Sequence, residues 1–573
     1  MSKQRPFRST KREMRKRREK SGMDANQLAA GRSMKATNSQ HSTKGHRSSL
    51  RAGLAVMGGR AAGALSRRLH LGGGTSITGL VAQSLYPDIV EHLSTQLAYG
   101  SILVTGTNGK TTTSGFIAAI LSDAGLRVWR NREGSNLMRG IAGALVIRAK
   151  PDGNLRRAGQ AISIFEVDEA VMPQAVQTLP PHVAVFTNLF RDQLDRYGEV
   201  DSVSARWLQA VSLLPDTATL VLNADDPATA HLGESFRGQV VYFGIDDLSL
   251  DLSAEGLSAD RHQAIDTRTC PDCGGELIYS VRYYSHLGHY KCSKCTRARP
   301  EADIRAVKVL SDGIDRLRIQ VETRTQQGEI VIPLAGFYNV YNALAAIAAS
   351  QSLGIAWDPI VSGIEQFKPA FGRGERVQVE GRTLRLLLAK NPTGFNEVLR
   401  TLFSDGTTRH LLFVLNDNIA DGRDISWTWD VDFERMVQHT ATLTVAGTRA
   451  LDLALRLKYA GIERQDMTIV TSTPLRASRA SFESKGRGAR QRRQVSKTVA
   501  ARHAQLLVAD EKGMLDQVFT GGHGIAQALD AAIRQTPVGE TLFVVPTYTG
   551  LLEIHRELER RGLTPHYWEE KGP

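Results

Sequence analysis

Four groups of residues in this chain of 573 amino acids have the types and spacing to do chemistry. The first is residues 101–113, SILVTGTNGKTTT. Gly106 and Gly109 let backbone N–H groups close on an anion, Lys110 can reach terminal phosphates, and Thr111 offers a hydroxyl to Mg²⁺. Val104 stands where the fuller phosphate-loop pattern has another glycine, so the loop is a shortened form, GTNGKT. It predicts a nucleoside triphosphate site lined by Gly106, Thr107, Asn108, Gly109, Lys110, Thr111 and Thr112. The second group is Glu166 in FEVDEA, a carboxylate placed to serve Mg²⁺ together with Thr111, directly or through water. The third is Cys270-x-x-Cys273 and Cys292-x-x-Cys295, enclosing eighteen residues. That is the spacing of a zinc ribbon, and four thiolates fill the tetrahedral shell, which argues against a catalytic zinc and leaves an inserted structural brace or a docking surface, as for nucleic acid. Lys291 and Lys294 beside the second knuckle favour thiolate, while His286 and His289 read as surface residues. The fourth is NDNIADGRD, with Asp417, Asp421 and Asp424 crowded behind an apolar run. Such density suggests electrostatic or acid–base work, or else a solvated loop.

The elements that must position these groups alternate. Apolar runs at 101–104, 161–167, 183–187, 219–222 and 240–243 read as strands, with helices near 111–123, 169–178 and 201–213. Alternation of this kind predicts a doubly wound, mostly parallel sheet with its sites at the strand C-termini. TNLFRDQLD (187–195) and NADDP (223–227) fall at such ends, although Asn and Asp also favour plain turns. After the ribbon, 304–332 returns to β character, and FYNVYNALAA opens an alanine-rich helix. Asn339 and Asn342 share a face of that helix, either as a helix start with an asparagine cap or as a pair reading a nucleotide. Beyond FGRGER (371–376) a second α/β domain is expected, with strands at 384–389, 410–415, 442–446, 467–471 and 541–545.

Charge is unevenly spread. Residues 1–20 and 476–502 each carry a surplus of eight positive charges, together more than the whole chain's net +13. The folded body is therefore slightly acidic, which counts against a nucleic-acid-binding protein. Residues 1–48 are expected to be a disordered basic tail, drawn to anionic lipid or nucleic acid or simply solubilising, and 476–502 an inserted basic loop without fixed structure. No apolar stretch approaches the ~20 residues of a membrane span, and no apolar core follows the basic N-terminus as in a secretory signal.

In order along the chain, GTNGKTTT, the glutamate of FEVDEA, TNLFRDQLD, NADDP, FYNVYNALAA and FGRGER resemble the Mur ligase family of ATP-dependent amide-forming enzymes. The ribbon, LAKNPTGFNEVLR and NDNIADGRDISWTWD resemble one branch of it, the MurT branch. The resemblance covers about 50–475 and 503–560. It implies a Mur ligase-like central P-loop domain with a parallel sheet and inserted zinc ribbon (49–372, ribbon 266–300), followed by a second, Rossmann-like α/β domain (373–573). It implies ATP, Mg²⁺ and structural Zn²⁺ as cofactors, with Asn339, Asn342 and Arg373 joining the nucleotide contacts. In that branch the D-glutamate α-carboxylate of the lipid II stem peptide is activated as an acyl phosphate and amidated to D-isoglutamine. The ammonia comes from a class I amidotransferase-type glutaminase subunit, and this chain's only cysteines are in the ribbon. An aspartate of the 417–424 loop is expected to be catalytic, Asp424 first and Asp421 next, with Asn391 brought over the site by domain closure. The resemblance places the work in the cytoplasm, where the basic tail could hold the enzyme at the inner membrane face. Two positions depart from the amino-acid-adding ligases: Arg206, with no lysine nearby to carry a second Mg²⁺, and Lys390 in place of their histidine. The alternative is a Mur or folylpolyglutamate synthase-like ligase that adds an amino acid.

Overall fold

The computed structural model describes residues 45–68, 74–131, 135–191, 200–250, 269–368, 372–471, 518–520 and 524–564. The tail as far as residue 44, the 476–502 insert and residues 192–195 of the TNLFRDQLD stretch lie outside them. The chain divides into two compact units, 1–370 and 371–573.

In the first unit α1 (Gly45–Arg68), α2 (Thr75–Leu85) and a short helix at Ile89–Ser94 precede a nine-stranded sheet. The chain enters it through β1 (Ser101–Thr105), α3 (Lys110–Asp123), β2 (Arg127–Arg130), α4 (Met138–Arg148) and β3 (Ala161–Glu166). It continues through β4 (Val183–Phe186), β5 (Thr219–Asn223) and β6 (Gln239–Ile245). The hairpin of β7 (Leu277–Tyr284) and β8 (Leu287–Cys292) stands apart as its own two-stranded sheet. Strands β9 (Ile304–Asp312), β10 (Arg316–Thr323) and β11 (Gln327–Ile332) complete the large sheet, followed by α5 (Tyr338–Ser352). The spatial order is β11-β10-β9-β6-β5-β4-β1-β3-β2, parallel from β2 to β9 and antiparallel beyond. Strand β2 escapes a search for apolar runs because RVWR has arginine at both ends and only one buried position.

Both faces of the sheet are covered, so successive residues of one strand join different cores. Ile102 and Val104 pack with α3 and α5, and Leu103 packs on the opposite face with residues of α1, α2 and α4. The alanines of α5, 343, 345, 346, 348 and 349, are fully buried, and their small size lets the helix lie close against β5 and β6. Strand β1 sits between β3 and β4, with Val104 beside Glu166 and Thr105 beside Phe186. Strand order reverses at β1, the place where open α/β sheets bind ligands.

The second unit is a seven-stranded sheet in the order β12-β13-β18-β14-β15-β16-β17. The first pair, β12 (Arg373–Val379) and β13 (Arg382–Leu387), is antiparallel. After α6 (Pro392–Phe403) come β14 (Arg409–Val414), β15 (Thr440–Gly447), β16 (Met467–Thr471), β17 (Val518–Thr520) and β18 (Thr541–Pro546), all parallel to β13. Helix α7 (Tyr548–Arg560) follows β18. The loops after β13, β14 and β18 therefore emerge at one edge.

Candidate functional site

The turn between β1 and α3 is built by two glycines in the left-handed region, Gly106 (φ 136°) and Gly109 (φ 87°). A Cβ on Gly106 would lie 2.0 Å from Thr187 Oγ1, and one on Gly109 2.0 Å from Asn342 Oδ1. At the start of α3 the Thr111 hydroxyl donates to Glu166 Oε2 at 2.8 Å, and Ser114 Oγ donates to Glu166 Oε1 at 2.9 Å. The Arg130 guanidinium stands 3.3 Å from the same carboxylate. A hydroxyl and a carboxylate converging beside a phosphate loop form the hard oxygen set that Mg²⁺ takes. Lys110 pairs with Glu169, and its ammonium also donates to the Gly106 carbonyl at 2.5 Å.

The loop is clamped from the end of β4. Asn188 Oδ1 accepts from the Asn108 amide at 2.9 Å and its Nδ2 donates to the Asn108 carbonyl at 3.2 Å. Thr187 Oγ1 donates to that carbonyl at 2.8 Å, and Thr107 Oγ1 donates to the Phe190 carbonyl at 3.1 Å. Asn342 closes the other side: it accepts from Thr113 Oγ1 at 3.3 Å and donates to Asn339 Oδ1 at 3.0 Å. Asn339 lies inside the first turn of α5 rather than at its cap, and donates to the Ala335 carbonyl. Asn339 and Asn342 are thus brought to the phosphate loop, whereas Arg373 opens β12 in the second unit and its side chain lies outside the described residues.

The four cysteines converge. Their sulfurs lie within 4.8 Å of one another, with Cys270–Cys295 at 3.7 Å and Cys273–Cys292 at 3.4 Å. A tetrahedron with Zn–S bonds of about 2.3 Å has sulfurs about 3.7 Å apart, so the donor set fits such an ion. The Lys294 backbone amide, donating to Cys292 Sγ at 3.3 Å, leads the effects that draw that thiol down to about 6. At Cys292 a peptide N–H thus does the work expected of the lysine side chains, whereas at Cys295 the Arg297 amide is outweighed by burial and the neighbouring sulfurs, which push the thiol up.

The expectation that His286 and His289 lie at the surface is wrong. His286 is fully buried against Phe190 with ring centroids 4.8 Å apart, and its Nε2 lies 3.6 Å from Asp226 Oδ2. His289 is partly buried between Tyr283, Asp246 and the Ile245 carbonyl. The hairpin tip folds under the β4 loop instead of into water, because Tyr284 stacks on Phe190 (5.6 Å) and Tyr283 donates to the Ile245 carbonyl. The NADDP aspartates serve this docking. Asp225 is fully buried and accepts from Arg299 Nε at 2.5 Å, Tyr341 OH at 2.7 Å and the Ile245 amide at 2.9 Å. Asp226 caps the short helix Pro227–His231 and accepts from the Leu189 amide at 2.7 Å.

At the shared edge of the second sheet, the three residues predicted to be catalytic occupy different settings. Asn391 is buried and caps α6, accepting from the Gly394 amide at 2.8 Å. Asp421 is buried and accepts from both the amide (2.8 Å) and the hydroxyl of Thr549. Burial raises its carboxyl above the usual aspartate range in spite of those bonds. Glu553, on α7, is raised for the same first reason, and the nearby charge of Asp421 adds to it. Asp424 is exposed and accepts from the Ser426 amide at 2.8 Å.

Residues 104–284 match the Mur ligase middle domain, and residues 388–486 match the MurT ligase C-terminal domain. The MurT subunit of lipid II isoglutaminyl synthase (glutamine-hydrolyzing) from Streptococcus pneumoniae is 33% identical over 420 residues, covering 73% of this chain and 89% of that protein. The MurT subunit from Staphylococcus aureus strain COL is 33% identical over 411 residues, covering 72% and 87%. The chain belongs to the MurT family.

MurT-family membership makes it an ATP-dependent ligase of peptidoglycan synthesis, and the family implies ATP and Mg²⁺. The fold agrees. A pseudomurein peptide ligase type C from Methanothermus fervidus superposes with a TM-score of 0.54 at 21% identity, over 81% of this chain and 79% of that one. Sequence reasoning did not single out Ser114, Arg130, Glu169 and Asn188, which surround the β1–α3 turn of the first unit, or Glu553, which lies near Asp421 in the second. Arg130 was hidden with β2, and Glu169 and Asn188 stood in motifs whose turn residues have local explanations. Ser114 and Glu553 carried no sequence signal.

Proposed function

We propose that this chain is the synthetase subunit that converts the D-glutamate α-carboxylate of the lipid II stem peptide to D-isoglutamine. The carrying observation is the likeness to MurT subunits over nearly nine-tenths of the S. pneumoniae relative's length. A carboxylate oxygen takes the γ-phosphoryl group of ATP, releasing ADP. Ammonia then attacks the acyl carbon, inorganic phosphate leaves, and the nitrogen gives up a proton. ATP supplies the leaving group that water chemistry lacks.

The chain's own residues do the positioning. Amides of 106–112 and Lys110 hold the phosphates, with Glu169 giving up Lys110 to them. Thr111 and Glu166 would hold Mg²⁺, which would supply positive charge at the phosphates, with Asn339 and Asn342 at the nucleotide in the first unit and Arg373 of the second assigned to it by the family resemblance. Asp421 or Asp424, with Asn391, handles the amidation step in the second unit, and the buried, raised carboxyl of Asp421 suits proton transfer. The thiolates of Cys270, Cys273, Cys292 and Cys295 hold a structural zinc. All four cysteines are committed to the ribbon, so glutamine hydrolysis falls to a class I amidotransferase-type partner, and the work is done at the cytoplasmic membrane face.

The test is amidation of lipid II by the purified chain with ATP and Mg²⁺, ammonia against glutamine. Product with ammonia alone is expected. Consumption of an added amino acid, with no amide from ammonia, would replace the proposal with an amino-acid-adding ligase.

A further inference from the structure

Helix α1 is built inside out. Its inward face is made of small residues: Ala52, Ala55 and Val56 are fully buried. A Cβ on Gly53 would lie 2.5 Å from the Pro151 carbonyl, and one on Gly59 2.6 Å from the Thr78 carbonyl. Neighbouring backbone approaches so closely that no large side chain fits there. The large apolar side chains are on the opposite face: Leu50 (68% exposed), Leu54 (62%), Met57 (48%) and Leu65 (57%). With exposed Ala61 they follow the i, i+4, i+7, i+11, i+15 spacing of a single helical stripe. Leu85 of α2 (56% exposed) extends it, since a Cβ on Gly58 would lie 2.7 Å from the Leu85 Cδ1.

The charges that the helix itself carries have one sign, although exposed Asp88, Glu91 and Asp152 of neighbouring segments lie near it. Helix α1 carries Arg47, Arg51, Arg60, Arg67 and Arg68 and no acidic residue. Residues 1–44, which lead into it, hold thirteen Lys/Arg against three acids. A second copy of α1 would set arginines against arginines, and the segment that leads into the helix has the same sign of charge. No helix among the described residues is long and apolar enough to cross a membrane. An apolar stripe flanked by arginine, on a helix that cannot span, fits the interface of an anionic bilayer.

We propose that α1 lies in the surface of an anionic lipid bilayer, with Leu50, Leu54, Met57 and Leu65 among the upper acyl chains and the exposed Arg51, Arg67 and Arg68 at the phosphates, Arg60 being held by the Ile147 carbonyl. The inference deepens the lipid II reading and rests on it for the enzyme's reason to be at a membrane.

The experiment uses the full chain and vesicles of phosphatidylcholine alone or with phosphatidylglycerol. The probe variant is Leu50→Gln, Leu54→Gln, Met57→Gln and Leu65→Gln together, which leaves every basic residue in place. Partitioning onto anionic vesicles is expected to fall at least about tenfold, with circular dichroism and amidation of a water-soluble stem-peptide analogue unchanged. A second variant, Leu54→Trp, is expected to add emission that shifts blue on anionic vesicles and is quenched by brominated acyl chains. Undiminished partitioning of the quadruple variant, or a Leu54→Trp signal that brominated chains do not quench, would overturn the proposal. So would dissociation of a wild-type dimer by the quadruple variant without loss of vesicle binding. Failure of amidation on both soluble and lipid-linked substrate would instead remove the reaction assigned above and leave the vesicle result to stand by itself.

Discussion

Replacing Gly109 by alanine tests whether the phosphate loop is held by its contact with α5. Two costs follow from the geometry. An alanine at φ 87° sits in the left-handed region, at about 1–2 kcal/mol. Its Cβ would also lie 2.0 Å from Asn342 Oδ1, and Asn342 is buried and tied to Thr113 and Asn339, so relieving the clash costs a further ~1–3 kcal/mol. Asn342→Ala alone forfeits those hydrogen bonds, about 1 kcal/mol. In the double variant the clash has no partner, so its cost falls short of the sum of the singles by about 1–3 kcal/mol. Hydrogen exchange read by mass spectrometry on peptides covering β1 and α3 measures these local free energies in the intact chain. Binding of a fluorescent ATP analogue should weaken in Gly109→Ala and remain weak in the double variant, because the backbone strain is still present. Additive costs, within about 0.5 kcal/mol, would refute the claim that Asn342 packs on the loop.

Glu166→Gln should lower ATP-dependent turnover about 100-fold and move the Mg²⁺ requirement to higher concentration, checked by titrating Mg²⁺ at saturating ATP. Elemental analysis should find one zinc per chain; its removal by chelator, or Phe190→Ala, should weaken nucleotide binding while leaving hydrogen exchange in the second unit unchanged. His555 supplies a pH dependence: burial would lower its pKa, but Glu375 and Glu559 outweigh this and hold it above its ordinary 6.5. Its folded pKa is the raised one, so its contribution is full below pH 6.5 and lost as pH rises through the folded value. Thermal melts from pH 6 to 8 should show that loss, and His555→Gln should flatten it.

The glycine turn after β1, the approach of Glu166 to Thr111 and the four-cysteine cluster were legible because each is a local pattern whose spacing encodes its geometry, and the alternation of apolar runs carried the parallel core. What it did not carry depends on contacts between distant segments. Asn339 and Asn342 could be placed on one face of a helix, but only packing shows that the face meets Gly109. His286 lies between two knuckles and looks solvent-bound in one dimension; the stacking of Tyr284 on Phe190 turns it inward. That contact also changes the reading of the ribbon. Its hairpin touches Phe190, Phe190 holds Thr107, and Asp225 joins Arg299, just beyond the second knuckle, to Tyr341 of the helix that closes the loop. A continuous path therefore runs from the four thiolates to both sides of the phosphate site. The cysteine cluster contains no residue that could act on a carboxylate or a phosphate. A metal held there is expected to act on the reaction through the loop's clamp, and its loss to be felt in nucleotide affinity before it is felt anywhere else.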